Sequence, residues 1–207
     1  MGQVESQVAC HIVRALKGAG HEAVLAGGCV RDRLLGIVPK DYDVATSATP
    51  EQVKAVFPGS KGVGEAFAVV LVRHEEVVTE VATFRKDGPY ADGRRPDYVE
   101  LDGATMDEDA ARRDFTINGL FEDPDGDEAS KIIDFHDGVA DLKKHRCVRA
   151  IGDPAARIAE DRLRMLRAVR FAARFGFHIE AATKQAIVKH APELGAVSRE
   201  RVGGEVV

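Results

Sequence analysis

Hydrophobic and polar positions along this chain follow two different periods. Apolar residues recur every three or four positions at 3–17, which predicts an N-terminal helix. Further along, short apolar runs bounded by Gly, Pro and Asp predict strands. The predicted strands lie at 22–26, 41–45, 68–72, 77–84, 132–135 and 147–150, and the predicted short helices at 30–35, 50–57, from Asp107, and at 138–144.

The composition shifts to helix formers from Asp153 onward. We therefore expect an α+β fold with two domains. Residues 1–150 should form a mixed or antiparallel sheet with flanking helices, and residues 151–207 an all-α domain. Helices are predicted at 154–175, at 181–190 and after a Ser198 cap, and the core-facing residues of the first are predicted to be Ile158, Leu163, Leu166, Val169, Ala173 and Phe175.

Paired carboxylates mark the second predicted strand. Asp41 and Asp43 are two positions apart, so on a strand their side chains point to the same face. Two such carboxylates repel each other unless a cation lies between them, and Mg²⁺ takes oxygen ligands while leaving positions for phosphates. A D-x-D pair by itself is more often a solvated turn or a calcium loop. Glu80, in the otherwise apolar strand 77–84, is either an exposed strand residue or a third ligand.

Two glycines precede the first short helix. Gly27 and Gly28 let backbone N–H groups approach an anion, and Arg31 on the helix can reach the same phosphates. A Gly-Gly pair alone is usually only a turn. Combined with the two aspartates, it indicates a nucleoside-triphosphate and metal site.

Composition and cysteine spacing exclude several classes of protein. The chain is 44% hydrophobic and 30% charged, as in ordinary soluble proteins. It has no apolar run long enough to cross a bilayer and no signal-peptide pattern, so we expect a cytoplasmic location and no membrane partner. Cys10, Cys29 and Cys147 are widely spaced and predict no disulfide partner. His136 and His145 with Cys147 lack the fourth ligand and the spacing of a zinc site.

The net charge of −5 argues mildly against a general nucleic-acid binder. The arginines, however, are concentrated at Arg94-Arg95, at Arg112-Arg113 and between Arg157 and Arg174. A local basic face can therefore hold RNA on a chain that is acidic overall.

The order and spacing of GGCVRDRLLG at 27–36 and KDYDVAT at 40–46 resemble a known signature. It is that of the class II tRNA nucleotidyltransferases and bacterial poly(A) polymerases, in the DNA polymerase beta-like superfamily. The resemblance implies a nucleotidyltransferase head followed by a helical neck. It also implies that Glu80 joins Asp41 and Asp43 as a metal ligand, and that Gly27, Gly28 and Arg31 position a triphosphate.

Later segments extend the resemblance. RRDFTIN at 112–118 matches a motif in which the positions of Arg113 and Asp114 contact the incoming nucleotide and its ribose. EDRLRMLRAVRFAARFGF at 160–177 matches a motif that selects the base, although its spacing alone fits a salt-bridged surface stripe. The positions that carry over there are Asp161, Arg164, Arg167 and Arg170, and Glu200, Arg201 and Glu205 match a motif that steadies them.

Two further segments match the same family. The loop with YADGRRPD at 90–97 corresponds to one implicated in adding the terminal adenosine, which weighs against an enzyme restricted to cytidine. Asp137-Gly138 and Asp141-Leu142 resemble a motif thought to hinge the head to the next domain. In the family, helical body and tail domains follow, so we expect this chain to be a head with a truncated neck.

The resemblance implies a two-ion, Mg²⁺-dependent reaction. CMP and AMP would be transferred from CTP and ATP to the 3′ end of an RNA, most simply tRNA, with release of pyrophosphate. A poly(A) polymerase or an enzyme that adds only adenosine shares these motifs. Nucleotide transfer to a small molecule or protein and a catalytically inactive RNA-binding module are the remaining alternatives.

Overall fold

The computed structural model describes residues 2–63, 68–90 and 96–206. Strands β1 to β6 are Ala23–Ala26, Asp43–Thr46, Lys61–Val63, Val69–His74, Val77–Thr83 and Lys86–Asp87, and β7 to β11 are Val99–Glu100, Leu120–Glu122, Ile132–Asp134, Cys147–Val148 and His178–Ile179. Within the described ranges, seven strands form one mixed sheet in the order β3-β4-β5-β2-β1-β8-β9. Only the β2–β5 pair in this sheet is parallel.

Helices surround the sheet and make up most of the C-terminal part. Helices α1 to α5 are Gly2–Gly18, Gly28–Leu34, Pro50–Val56, Met106–Ala111 and Gly138–Ala140, and α6 to α9 are Pro154–Glu160, Leu163–Phe175, Ala181–His190 and Arg199–Val206. A 3₁₀ turn at Thr116–Asn118 precedes β8, a π-helical turn at Asp141–His145 continues α5, and a second 3₁₀ segment spans Ala191–Ala196. The predicted α+β class, with a mixed sheet and flanking helices, is confirmed.

The two faces of the sheet have different partners. Leu25, Val44 and Val81 point to one face and share a core with the buried side of α1. Because side chains alternate along a strand, the neighbouring residues point to the other face. Ala26 and Ala45 lie there, with little bulk to fill it. A pocket can therefore form on this second face.

Local sequence signals fix several helix starts. Thr49 caps α3, and its side chain forms a reciprocal capping box with Gln52. Thr105 and Glu108 form the same arrangement at α4. Asp153 caps α6 by accepting a hydrogen bond from the Ala156 backbone N–H over 2.7 Å.

Two of the predicted elements are wrong in detail. The strand predicted at 41–45 begins at Asp43, so Asp41 lies before it, exposed, and the alternation argument does not apply to the aspartate pair. The long helix predicted at 154–175 is broken after Glu160, because Asp161 has an extended backbone (φ −147°, ψ 107°). The Asp161 carboxylate then accepts a hydrogen bond from the Leu163 N–H over 3.0 Å, which starts the next helix.

The domain boundary expected near residue 150 remains a prediction. Strand β10 lies before that boundary and pairs in parallel with β11 after it, with Cys147 opposite His178. Ile117 and Phe171, which fall on opposite sides of the boundary, belong to the same buried cluster. The two predicted domains are therefore packed against each other over a continuous core.

The cysteines and the longest helices can be compared with the sequence-based expectations for disulfides and membrane spans. Cys10, Cys29 and Cys147 are all free thiols. Among the helices of the described ranges, none has the length and hydropathy that a membrane span requires. The Arg94-Arg95 pair and most of the 90–97 loop lie outside the described residues.

Candidate nucleotide site

A pocket of about 420 Å³ opens on the second face of the sheet, between β2, β5 and the start of α7. Ten of the twelve predicted site residues line it, and Asp41 and Arg170 do not. The ten are Gly27, Gly28, Arg31, Asp43, Glu80, Arg113, Asp114, Asp161, Arg164 and Arg167. Arg112, Asn118 and Phe171 also line the pocket and were not predicted.

Two carboxylates lie side by side on the floor of the pocket. Val44 pairs with Val81 in the parallel β2–β5 ladder, so Asp43 and Glu80, each one residue earlier, are neighbours on the pocket face. Burial of the carboxyl group and the negative charge of Glu80 raise the pKa of Asp43 to about 6, and the charge of Asp41 adds to the effect. Like charges this close favour a bound cation.

Asp41 does not complete a cluster of three ligands. Among the described residues, no three His, Cys, Asp or Glu side chains are grouped closely enough to hold one metal ion. Asp43 and Glu80 both line the pocket, and the role of Asp41 as a further metal ligand stays a prediction.

A glycine turn shapes the wall next to the carboxylates. Gly27 has φ 69° and ψ −119°, and a Cβ built there would lie 2.7 Å from Nη1 of Arg113. The positive φ favours glycine here, because other residues rarely adopt that backbone conformation. Gly28 then begins α2 and brings backbone to the pocket surface.

Arg31 is more buried than a phosphate-binding side chain on a surface helix would be. It is 5% exposed, and its guanidinium lies 5.1 Å from the ring centre of Phe171 and 4.9 Å from that of Phe175. It donates to Asp32 over 2.8 Å and also to Oδ1 of Asn118. Burial lowers the pKa of Arg31, although the charge of Asp32 opposes that shift.

One buried carboxylate holds two arginines of the pocket wall. Asp109 in α4 is 1% exposed and accepts from Arg112 over 2.6 Å and from Arg113 over 2.9 Å. Burial alone would raise the pKa of Asp109, but the two guanidinium charges hold it below its usual range. The i,i+3 and i,i+4 spacing of Asp109 to these arginines is a sequence signal that could have identified it.

Asp114, the residue after Arg113, also faces the pocket. It accepts from the Phe115 N–H over 2.8 Å, from Asn118 over 2.9 Å and from Arg167 over 2.7 Å. Burial tends to raise the pKa of Asp114, but the Arg167 charge and these hydrogen bonds hold it below its usual range. It is ionised at neutral pH and can accept from a ligand hydroxyl.

The opposite wall comes from the break between α6 and α7. Arg164 is 8% exposed and donates to Glu160 over 2.7 Å, so it is not part of a solvated stripe. Asp161 accepts from Arg201 of α9 over 2.7 Å. Asp161 and Arg164 thus present an acceptor and a donor from one wall.

Helix α9 supports this wall from outside the pocket. Glu205 lies 3.3 Å from Arg167 and 2.9 Å from Arg170, which explains why Arg170 does not reach the cavity. Arg201 contacts Asp161, and Glu205 contacts Arg167 and Arg170. These are residues of the motif that the sequence resemblance expects Arg201 and Glu205 to support.

Two family models match this chain. A family model described as "Poly A polymerase head domain" matches residues 23–149, and one described as "Probable RNA and SrmB- binding site of polymerase A" matches 176–207. The CCA-adding enzyme of Geobacillus thermodenitrificans (strain NG80-2) is 44% identical over 200 residues, which cover 97% of this chain and 48% of that protein. The chain thus spans about half the length of the curated relatives it matches.

Solved structures show the same similarity. A crystal structure of the Bacillus stearothermophilus CCA-adding enzyme in complex with CTP has a TM-score of 0.84 and 41% identity, covering 96% of this chain and 47% of the other. A tRNA nucleotidyltransferase complexed with a primer tRNA and an incoming ATP analog has a TM-score of 0.74 and 29% identity, covering 94% and 54%. The head-domain model alone matches more than half of the length of this chain. The chain therefore belongs to the family of tRNA nucleotidyltransferases and poly(A) polymerases defined by that head domain.

Proposed function

We propose that this chain carries the catalytic centre of a template-independent RNA nucleotidyltransferase. It would transfer CMP and AMP from CTP and ATP to the 3′ end of tRNA and release pyrophosphate, in the cytoplasm where tRNA is processed. The observation that carries the proposal is a single pocket that joins Asp43 and Glu80, the glycine turn and an arginine-rich wall. The relatives named CCA-adding enzymes support tRNA as the acceptor.

The carboxylates fit magnesium. Mg²⁺ is usually held by one or two carboxylates together with substrate phosphates, so Asp43 and Glu80 suffice, with Asp41 nearby. When bound, two such ions would activate the attacking 3′-hydroxyl and offset charge on the triphosphate. The raised pKa of Asp43 is the observation that favours a cation here.

The remaining side chains have separate tasks. Gly28 and Arg31 would position the triphosphate, and Arg113 with Asp114 the sugar. Ribose hydroxyls are donors, so an ionised Asp114 favours ribonucleotides.

The base would be selected by the wall at the α6–α7 break. Asp161 accepts and Arg164 donates, and together they match complementary groups along a base edge. Arg167 and Arg170 would support this wall through Asp114 and Glu205.

The proposal is tested by single-turnover extension of a tRNA that lacks its last three nucleotides. The 207-residue chain with Mg²⁺ should add CMP from CTP, then AMP from ATP, and Asp43→Asn should abolish addition while CTP binding by calorimetry persists. Addition of repeated AMP without CMP would instead identify a poly(A) polymerase, and AMP added once would identify an adenosine-adding enzyme. Failure to bind either nucleotide in Mg²⁺ would overturn the proposal.

A further inference from the structure

Asn118 is the only asparagine in the sequence, and it lies in the 3₁₀ turn that closes one side of the pocket. The residue is 8% exposed. Its Oδ1 accepts a hydrogen bond from Nη1 of Arg31, and its Nδ2 donates to Oδ1 of Asp114 over 2.9 Å. The side chain therefore connects a buried cation to a buried anion.

A neutral amide satisfies both hydrogen-bonding neighbours of position 118. The guanidinium on one side needs an acceptor, and the carboxylate on the other needs a donor. A carboxylate at position 118 has no N–H to donate, and an apolar side chain satisfies neither neighbour. The orientation of the amide is also fixed, because a flipped amide would turn donor against donor and acceptor against acceptor.

Each neighbour of the amide belongs to a charged chain of its own. Arg31 pairs with Asp32, which accepts from Arg174 over 3.1 Å. On the other side, Asp114 pairs with Arg167 over 2.7 Å. The amide is the neutral link between these two groups of ion pairs, which reach α7 through Arg174 and Arg167 respectively.

A second contact comes from the backbone of the same residue. The carbonyl oxygen of Asn118 accepts from Nη1 of Arg113 over 3.2 Å. One residue thus contacts the side chains of Arg31, Arg113 and Asp114, and all three line the pocket.

We infer that Asn118 is a positioning residue that sets Arg31 and Asp114 in a fixed relation, so that triphosphate and ribose are held in one geometry. It acts through these two side chains and does not itself touch the reacting atoms. The inference rests on the proposed function, in which Arg31 meets the triphosphate and Asp114 meets the ribose.

Two substitutions separate the two halves of this link. Asn118→Asp keeps the shape and the acceptor for Arg31 but removes the donor to Asp114 and sets two carboxylates together. Asn118→Leu removes both contacts with a side chain of similar branched shape. Affinities for inorganic tripolyphosphate, CTP and dCTP, measured by calorimetry in Mg²⁺, report the phosphate side and the ribose side separately.

Asn118→Asp should bind tripolyphosphate within about twofold of wild type, while its preference for CTP over dCTP falls about tenfold. Asn118→Leu should weaken tripolyphosphate binding about tenfold and lose the ribose preference as well. If Asn118→Leu does not fold, Asn118→Ala takes its place, because it adds neither bulk nor charge and removes the same two contacts.

Thr116→Val provides a matched structural control. Thr116 lies in the same 3₁₀ turn, but its hydroxyl donates to Asp141 over 2.7 Å, away from the pocket. This variant should lower the melting temperature and leave the ratio of CTP to dCTP affinity unchanged. Gln52→Glu, an amide-to-carboxylate change in the α3 capping box, controls for the added charge.

The outcomes separate this inference from the function on which it rests. If wild type binds CTP and prefers it to dCTP, but Asn118→Asp keeps that preference, the positioning role of Asn118 is overturned and the function stands. Equal losses of tripolyphosphate binding in the Asp and Leu variants would also overturn it. If wild type binds neither tripolyphosphate nor CTP, both are overturned.

Discussion

The ionised carboxyl group of Asp43 lowers the stability of the folded protein. Burial and the adjacent Glu80 raise its pKa to about 6, well above the ordinary value of 3.8. The ionised form is therefore disfavoured in the fold, and it is the form that a metal ligand needs. Residues with such shifts are often retained for function at the expense of stability.

Replacing Asp43 with Asn should therefore stabilise the protein in a pH-dependent way. Below about pH 4 the carboxyl is protonated in both folded and unfolded states, so the variant gains nothing. Between pH 4 and 6 the unfolded state ionises first, and wild type loses stability as the pH rises. Above pH 6 the variant should be more stable by about 1 kcal/mol. This value is reduced for solvent screening because Asp43, although protein atoms crowd its carboxyl group, keeps an exposed surface in the open pocket.

Urea unfolding at pH 4 and pH 7.5, without divalent cations, measures this difference. Asp102→Asn, in an exposed loop away from the pocket, is the matched control and should change stability little at either pH. A gain for Asp43→Asn that is equal at both pH values would contradict the electrostatic explanation.

At the scale of elements, the break between α6 and α7 determines which α7 residues face the core and which face the wall that we propose to select the base. A continuous helix at 154–175 would place Val169 in the core, but Val169 is 51% exposed, whereas Phe171 is 3% exposed. No Gly or Pro lies between Glu160 and Leu163, and the local signal for a new helix is Asp161, whose carboxylate accepts from the Leu163 N–H. The break is stabilised further by Arg201, forty residues later, which contacts Asp161.

The sequence predicted what depends on neighbours along the chain. Because side chains alternate along a strand, Glu80 points to the opposite face from Val81, and the glycine turn is visible as Gly27-Gly28. Asn118 was missed as a site residue, because its partner Arg31 lies 87 positions away in the sequence and only the fold brings the two together. Asp109 was missed although its spacing to Arg112 and Arg113 is a local signal. We predicted Asp41 on the strand, because the apolar run does not show at which residue the strand begins to pair with its neighbours.

Arg201→Ala should reduce base preference strongly while lowering the free energy of unfolding only slightly. Asp161 would lose its 2.7 Å guanidinium partner, and its carboxylate would no longer be held in one orientation. We expect the preference for CTP over UTP to fall about tenfold, with a loss of roughly 1 kcal/mol in the free energy of unfolding. Single-turnover rates with each nucleotide and urea unfolding measure the two effects.

The same helix supplies the control for this prediction. Arg199 makes no ion pair with any described residue, so Arg199→Ala removes an equal charge from α9 without touching Asp161. It should leave both base preference and stability nearly unchanged. A similar loss of base preference in both variants would show that the charge of α9, not the contact with Asp161, matters.

At the scale of the whole molecule, the pocket lies where the two predicted domains meet. Asp43 and Glu80 come from the sheet, and Asp161, Arg164 and Arg167 from the part after residue 150. The acidic net charge of −5 is compatible with an anionic substrate, because arginines line the pocket itself. A nucleotide in this pocket would contact both parts at once.

This packing predicts that the chain unfolds as one unit despite the boundary expected near residue 150. Phe171 is buried in the cluster that also contains Ile117 and Leu120 of the first part. Phe171→Ala should therefore cost about 3–5 kcal/mol and shift a single unfolding transition as a whole. Scanning calorimetry should give equal calorimetric and van't Hoff enthalpies for wild type and variant. Two separate transitions in wild type, with only the later residues affected by the substitution, would instead show that residues 151–207 fold independently of the sheet.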